Sequence, residues 1–293
     1  MNLAQWLEHQ QRIHPNDVEL GLERIGQVAA RLQLGRPGAR VISVAGTNGK
    51  GSTVAFIEAI ARAAGLRTGA YTSPHLLHYN ERVRIDGEAS SDADLIAAFE
   101  AIEAARGEVA LTYFEFGTLA ALWLFARQPL DLVVLEVGLG GRLDAVNLVD
   151  ADLAVVTTVA LDHTEYLGHD RESIAREKAG ILRPGKPVVI GELDPPDTLL
   201  REAGRIGAPV VRAGHAYRFQ LEGEGWVFQD ERGRLELPLP ALRAPAQLAN
   251  AAAAIAALRW LLPALPLTPQ HIASGIGSAQ LPGRMQVIPG PVE

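Results

Sequence analysis

The sequence predicts an α/β protein with a doubly wound, mostly parallel sheet and a small antiparallel sheet appended to it. Three observations predict it. A β-branched run, Val41-Ile42-Ser43-Val44, enters the glycine-rich turn Gly46-Thr47-Asn48-Gly49-Lys50-Gly51-Ser52, and a helical pattern leaves it at Thr53-Val54-Ala55-Phe56-Ile57. The runs at 131–137, 152–157 and 187–190 are continuously apolar, as strands buried on both faces of a parallel sheet are. Helical periods separate these runs, so that strands and helices alternate along the chain.

Taken in order, residues 17–33 read as a helix, with Val18, Leu22, Ile25 and Val28 on one face. The glycine turn and its helix follow, then a strand at 67–71, an irregular segment at 72–81 and an alternating strand at 82–85. Helices are expected at 91–106 and 112–127, the second strongly apolar and therefore central. After the strands at 131–137 and 152–157 come a helix at 171–181, a strand at 187–190, a helix at 196–206 and a strand at 209–212. From about residue 214 to 240 the pattern changes to alternation broken by turn-formers, as at 217–221 and 225–229, which predicts the antiparallel sheet. Helices return at 246–262 and 269–278.

Composition excludes several classes. The chain has 293 residues, 48% of them hydrophobic, which suffices for a full core. It has no cysteine, which excludes disulfides and thiolate-held metals. A formal charge of −7 argues against nucleic acid as the main partner, so any anion site is a local basic focus. The first residues lack a basic start and an apolar core of the signal-peptide kind. The longest apolar segment, Phe116 to Ala126, is well short of the roughly 20 residues a membrane span needs. These features lead to the expectation of a soluble, cytoplasmic protein with no nucleic-acid or membrane partner.

The glycine turn carries the chemistry. Glycines let backbone N–H groups curl around a phosphate, the helix start adds partial positive charge and Lys50 a full one. Ser52 is placed to reach a phosphate-bound Mg²⁺. The turn is therefore expected to bind a nucleoside triphosphate, although only Thr47 and Asn48 separate Gly46 from Gly49-Lys50, two residues fewer than in the common P-loop. Glu136 ends an apolar strand before Gly138 and Gly140, where a metal-positioning carboxylate or an ion-paired strand end would sit. Ser73-Pro74-His75 follows a strand and faces the same crevice, or simply starts a turn. His163 is a metal ligand or a loop residue. Lys178 reads by default as a surface lysine favourable to a helix C-terminus. Thr112-Tyr113-Phe114-Glu115-Phe116 is core plus a helix-start acid, or the wall of a site for a flat heteroaromatic ligand.

Several blocks occur together in one order: DVELGLER at Asp17–Arg24, VAGTNGKGS at Val44–Ser52, YTSPHLLHYNERV at Tyr71–Val83, LTYFEFGTLAALWL at Leu111–Leu124, LEVGLGGRLDAVN at Leu135–Asn147, ALDHTEYLG at Ala160–Gly168, RESIAREKAGI at Arg171–Ile181 and LPGRMQ at Leu281–Gln286. In these blocks the chain resembles the bacterial dihydrofolate synthase/folylpolyglutamate synthases of the Mur-ligase superfamily, and the resemblance runs through nearly the whole chain. It implies a fold like the Mur-ligase central domain and an ATP-dependent ligase. Such an enzyme phosphorylates the carboxylate of dihydropteroate or a folate glutamate, and L-glutamate then displaces the phosphate. The resemblance also implies site residues: Gly46 to Ser52, Asn250 and Arg284 for the nucleotide, and Ser73, Glu136 and His163 for magnesium, with two ions and a monovalent cation expected. Lys50, Lys178 and His163 take catalytic roles, Lys178 as a carbamate. Ile13, His14, Thr112, Tyr113, Phe114, Glu115, Leu143, Asp144 and Ala145 form the pteroate region. Val146 stands where this group often has threonine.

The resemblance further implies that residues 1–284 are the ATP-binding domain and 285–293 the start of a linker to a carboxy-terminal domain that completes the site. A monomer is expected, with little or no turnover from these residues alone. Two other readings remain open at this stage: a ligase acting on UDP-muramoyl peptides, and a non-catalytic nucleotide-binding module.

Overall fold

The apolar runs pair as parallel strands in the computed structural model, which describes residues 1–16, 18–262 and 264–283. Arg284 and the expected linker 285–293 lie outside the described residues. The phosphate-loop strand β1 (Arg40–Ala45) lies between β5 (Leu132–Glu136) and β6 (Leu153–Val156), parallel to both. Outward from β5 run β2 (Thr68–Tyr71), β3 (Val83–Ile85) and β4 (Glu88–Ala89), the last two antiparallel; outward from β6 run β7 (Val188–Ile190) and β8 (Val210–Arg212). The resulting order is β4-β3-β2-β5-β1-β6-β7-β8.

Alternate residues of each central strand enter separate cores, which is why the runs are apolar throughout. Val41, Val133 and Leu135 face the core that holds helices α1 (Leu3–Ile13), α2 (Glu23–Arg31), α4 (Asp92–Arg106) and α5 (Tyr113–Phe125). Ile42, Val44 and Val134 face the core under α3 (Lys50–Ala63), α9 (Gln247–Trp260) and α10 (Pro269–Ser278). The three-stranded sheet β9 (Tyr217–Glu222), β10 (Gly225–Asp230) and β11 (Gly233–Pro238) caps this second core with Tyr217, Trp226 and Phe228. No described helix is long and apolar enough to cross a membrane.

Two stretches differ from the sequence expectation. Residues 3–13 form a helix that the apolar pattern alone did not predict; Asn2 and Gln5 close a reciprocal capping box at its start. The helix expected over 17–33 begins only at Glu23. The N–H of Gly21 is bound to the carbonyl of Leu143 at 3.1 Å, and residues 18–21 form no helical turn. Helices α4, α5, α7 (Arg171–Ala179) and α10 start where sequence places them, because Ser91, Thr112, Asp170 and Thr268 each accept a backbone N–H of the first turn.

Phe56 of α3 is fully buried in the core that the sheet shares with α9 and α10. Phe56→Ala is expected to cost about 3–5 kcal/mol of folding stability, measured by denaturant unfolding. A loss under about 1 kcal/mol would mean that this core packs loosely enough to collapse around the gap.

Candidate active site

The loop between β1 and α3 is held open from both sides. Gly46 (φ 153°) lies so close to Thr157 that a Cβ would run into its hydroxyl, and Gly49, in the left-handed region at φ 88°, is pressed in the same way against the Asn250 amide. No side chain at either place would fit. The Thr47 N–H donates to Thr158 O at 2.8 Å, the Asn48 N–H donates to Thr158 Oγ1 at 3.0 Å, and Thr47 Oγ1 joins Ala160 through both its N–H and its carbonyl. Helix α3 then starts at Lys50 with no side-chain cap, so its first N–H groups have no acceptor from within the helix. Lys50 Nζ bends back onto the carbonyls of Gly46 (3.0 Å) and Thr47 (3.3 Å). An uncapped helix start with an ammonium beside it and no Cβ in the way is a cradle for phosphate oxygens.

The sheet order brings the carboxyl ends of β2, β5 and β1 side by side. Glu136, buried, accepts the Ser73 N–H on Oε2 at 3.2 Å, and a Cβ on Gly51 would lie only 3.5 Å from the same oxygen. Carboxylate, serine and loop therefore meet at one place. Ser52 Oγ accepts from Gln247 Nε2 (3.1 Å), and Gln247 Oε1 accepts from Asn250 Nδ2 (3.1 Å). Gln247 carried no signal in the sequence, since its partner is 195 residues away. His163 starts the short helix α6 (Thr164–Leu167) at φ 46°, half exposed, with Asp162 3.8 Å from its Nε2. No described contact joins it to Ser73 or Glu136, and no group of three His, Asp or Glu side chains among the described residues gathers at metal-binding spacing. The oxygen donors of Glu136 and Ser73, with Gly51 leaving space against them, nevertheless suit a hard divalent cation accompanied by phosphate oxygens.

Lys178 is buried, contrary to the surface position its helix-end location suggested. Burial, and after it the Lys50 ammonium, push its pKa down to about 8, with Asp162 and Asp144 pulling the other way. The glycines explain the burial: Gly141 packs on the backbone of Lys178 and Gly180 on Arg142, which closes α7 over the 138–142 loop.

A cavity of about 260 Å³ opens beside this centre, bounded by Val18–Gly21, Ser73-Pro74, Arg82, Thr112, Phe114, Glu115, Gly138-Leu139 and Leu143–Ala145. Of the pteroate-region residues expected from the resemblance, Thr112, Phe114, Glu115, Leu143, Asp144 and Ala145 line it. Ile13 ends α1, Tyr113 packs edge-on to Tyr79, and His14 stands behind the wall with Nε2 3.2 Å from Glu19. Glu115 does two structural jobs: it accepts the Thr112 N–H at 2.8 Å, closing the cap of α5, and it takes Arg24 at 3.1 Å. Arg24 also pairs with Glu19. Asp144 accepts the N–H groups of Leu139 and Val146, both at 2.9 Å. Burial pushes its pKa up to about 6 against the pull of those amides, the Gly138 amide and Lys50.

Comparison with known proteins shows the family. The profile of the Mur ligase middle domain matches residues 44–258. The Escherichia coli K12 protein named dihydrofolate synthase/folylpolyglutamate synthase is 51% identical over 287 residues, 98% of this chain and 67% of its own length. Its Haemophilus influenzae counterpart is 46% identical, over 98% of this chain and 64% of its own length, so the chain spans about two thirds of these relatives. Among solved structures, E. coli FolC in complex with DHPP and ADP superposes with a TM-score of 0.94 at 50% identity, covering 99% of this chain and 69% of that one. A bifunctional folylpolyglutamate synthase/dihydrofolate synthase with Mn, AMPPNP and L-glutamate bound gives 0.90 at 51% identity, covering 99% and 69%. With identity at this level along nearly all of its length, the chain belongs to the dihydrofolate synthase/folylpolyglutamate synthase family of Mur-type ligases.

Proposed function

We propose that the protein is an ATP-dependent ligase that joins L-glutamate to the carboxylate of dihydropteroate or of a folate glutamate. One observation carries the reading. Ser73 belongs to two places at once: its N–H donates to Glu136 beside the phosphate loop, and its side forms part of the wall of the 260 Å³ cavity. An acid lying in that cavity therefore presents its carboxylate to the γ-phosphate end of a nucleotide held by Gly46 to Ser52.

The chemistry follows from the poor electrophilicity of a carboxylate. An oxygen of the acceptor carboxylate attacks the γ-phosphorus, the bond to the β-phosphate oxygen breaks, and ADP leaves with that electron pair. The glutamate amine, as the free base, then attacks the acyl carbon; the C–O bond to phosphate breaks, inorganic phosphate departs, and the amine gives up a proton. Lys50 and the α3 amides stabilise the charge spreading over the transferred phosphoryl group. Ser73, Glu136 and His163 would hold magnesium, two ions being expected, with a monovalent cation expected besides; metal bound there would neutralise phosphate charge. Asn250, fixed by Gln247 and set against Gly49, stands where a nucleotide would pass.

Burial supports a role for Lys178 as a carbamate. Only the neutral amine adds to CO₂, and a lysine with its pKa near 8 is far richer in that form than an ordinary one. The product is an anion, and it removes the repulsion from Lys50. Asp144 and the cavity wall hold the flat pteroate, and residues 1–284 act as one ligase domain of a monomer.

Two measurements test the reading. Lys50→Ala is expected to lower ATP affinity or turnover by about 100-fold or more, read by calorimetry and by glutamate-dependent ADP release; unchanged values would remove the loop from the mechanism. With ¹³C-bicarbonate, a carbamate carbon signal should grow as pH rises through about 8 and vanish in Lys178→Arg. The direction follows from the depressed pKa: the amine is charged below that pH and free above it. A lysine still fully protonated at pH 9 would contradict it.

A further inference from the structure

Of the side chains that line the cavity, Arg82 has no role in the mechanism above. It is the one Lys or Arg among the described lining residues. Its Nε donates to His75 Nδ1 at 2.8 Å, and its guanidinium lies over the rings of Tyr79 (5.4 Å) and Tyr113 (5.6 Å). The two rings and the single hydrogen bond restrict the guanidinium, and the side chain lines the cavity. Among the described residues it makes no ion pair, and the acids around it are already engaged. Glu81 is wrapped by the N–H groups of Leu76, Leu77 and His78 at 2.7–2.9 Å, and Glu19 and Glu115 are both taken by Arg24. Because His75 Nδ1 accepts, its ring is neutral with the proton on Nε2, and burial and Arg82 lower its pKa further. The Arg82 charge is thus held rigidly, partly desolvated and uncompensated, in a cavity that accepts an acid.

Register sets its distance from the reacting centre. Leu135 pairs with Tyr71, and Tyr71 with Val83. Glu136, Thr72 and Arg82 therefore form one row across β5, β2 and the start of β3, and the Thr72 N–H donates to the Arg82 carbonyl at 2.9 Å. Two strand spacings put the Arg82 backbone about 10 Å from that of Glu136. A glutamyl acceptor has two carboxylates about 5 Å apart by standard bond lengths. With its γ-carboxylate at the Ser73–Glu136 end, its α-carboxylate falls between that end and the backbone of Arg82, within reach of the guanidinium. Dihydropteroate carries only the carboxylate that reacts.

We propose that Arg82 is a carboxylate-recognition residue of the acceptor cavity: it takes the α-carboxylate that a glutamyl acceptor carries and dihydropteroate lacks, and so separates the two acceptor classes. The inference rests on the ligase reading and adds to it the basis of acceptor choice.

The test is equilibrium binding to the protein with Mg·ADP present, using three probes: dihydropteroate, its monoglutamate, and the same monoglutamate with its α-carboxylate converted to a carboxamide. Arg82→Gln is expected to weaken the monoglutamate about 10- to 100-fold more than dihydropteroate, as the loss of a charge-assisted pair would. Arg82→Lys, which keeps the charge but not the fork, should recover part of that ratio. In the unaltered protein the carboxamide should bind about as weakly as the monoglutamate binds Arg82→Gln, and in Arg82→Gln acid and carboxamide should bind alike. Equal weakening of both acceptors by Arg82→Gln would overturn the proposal. So would a carboxamide that binds the unaltered protein as tightly as the acid does. The carboxamide arm needs no variant, so it decides the matter even if a substitution unfolds the chain. If the unaltered protein bound neither dihydropteroate nor its monoglutamate, the ligase reading itself would fail, and this inference with it, in a way distinct from the other two results.

Discussion

The seat of the phosphate loop is the constraint on which the site depends. Gly46 against Thr157, and Gly49 against Asn250, leave no volume for a Cβ, and Thr47 and Asn48 are hydrogen-bonded to the segment leaving β6. Two elements far apart in the chain, the segment leaving β6 and α9, thus press one four-residue turn into a single shape. That shape keeps the start of α3 uncapped. A helix end without acceptors is unfavourable in isolation. Here it is maintained by the burial of α3 between the sheet, α9 and α10, where Phe56, Ile57 and Ile60 are fully covered. Stability gained in the core is thereby converted into backbone donors held ready at the surface.

Burial also sets the electrostatics of the cleft. Desolvation acts in opposite senses on acids and bases, and both senses are present: Asp144 is pushed up to about 6 and Lys178 down to about 8. Each is displaced toward neutrality, because neither finds enough compensating charge in the protein alone. A nucleotide with its metal would bring the missing charges of both signs. Arg82 follows the same logic at the other end of the cavity, where two tyrosine rings and a neutral histidine hold a cation without cancelling it.

Much of this was legible in the sequence because the relevant signals are local. The strand–turn–helix unit, the buried parallel strands and the capped helices reappear within a residue or two of where periodicity put them. The misreadings are equally informative. Val18 and Leu22 stand at helical spacing, yet Gly21 bonds to Leu143 and residues 18–21 line the cavity instead of forming a helical turn. Residues 3–13 were passed over because their polar content masks the two inward positions, Trp6 and Gln10, although the Asn2–Gln5 pair was a readable cap. Lys178 looked exposed from its place at a helix end, and only the packing of Gly141 and Gly180 puts it inside. Glu115 read as a ligand contact or a helix-start acid; the second reading holds, since its carboxylate closes the cap of α5 and takes Arg24, while the residue also lines the cavity.

By itself the sequence determined the α/β class, the strand–glycine turn–helix unit, the starts of the capped helices α4, α5, α7 and α10, and membership of a family of ligases. Each of these is written in residue types within a turn or a strand of one another, where sterics and hydrogen bonding act at short range. The tertiary structure alone decided which polar groups share an environment: Ser73 with Glu136, Ser52 with Gln247, Arg24 with both Glu19 and Glu115, and Arg82 with the cavity beside Ser73. Strand order and register bring such groups together. Neither can be counted along the chain, because a contact between residues as far apart as 52 and 247 depends on how every intervening element packs.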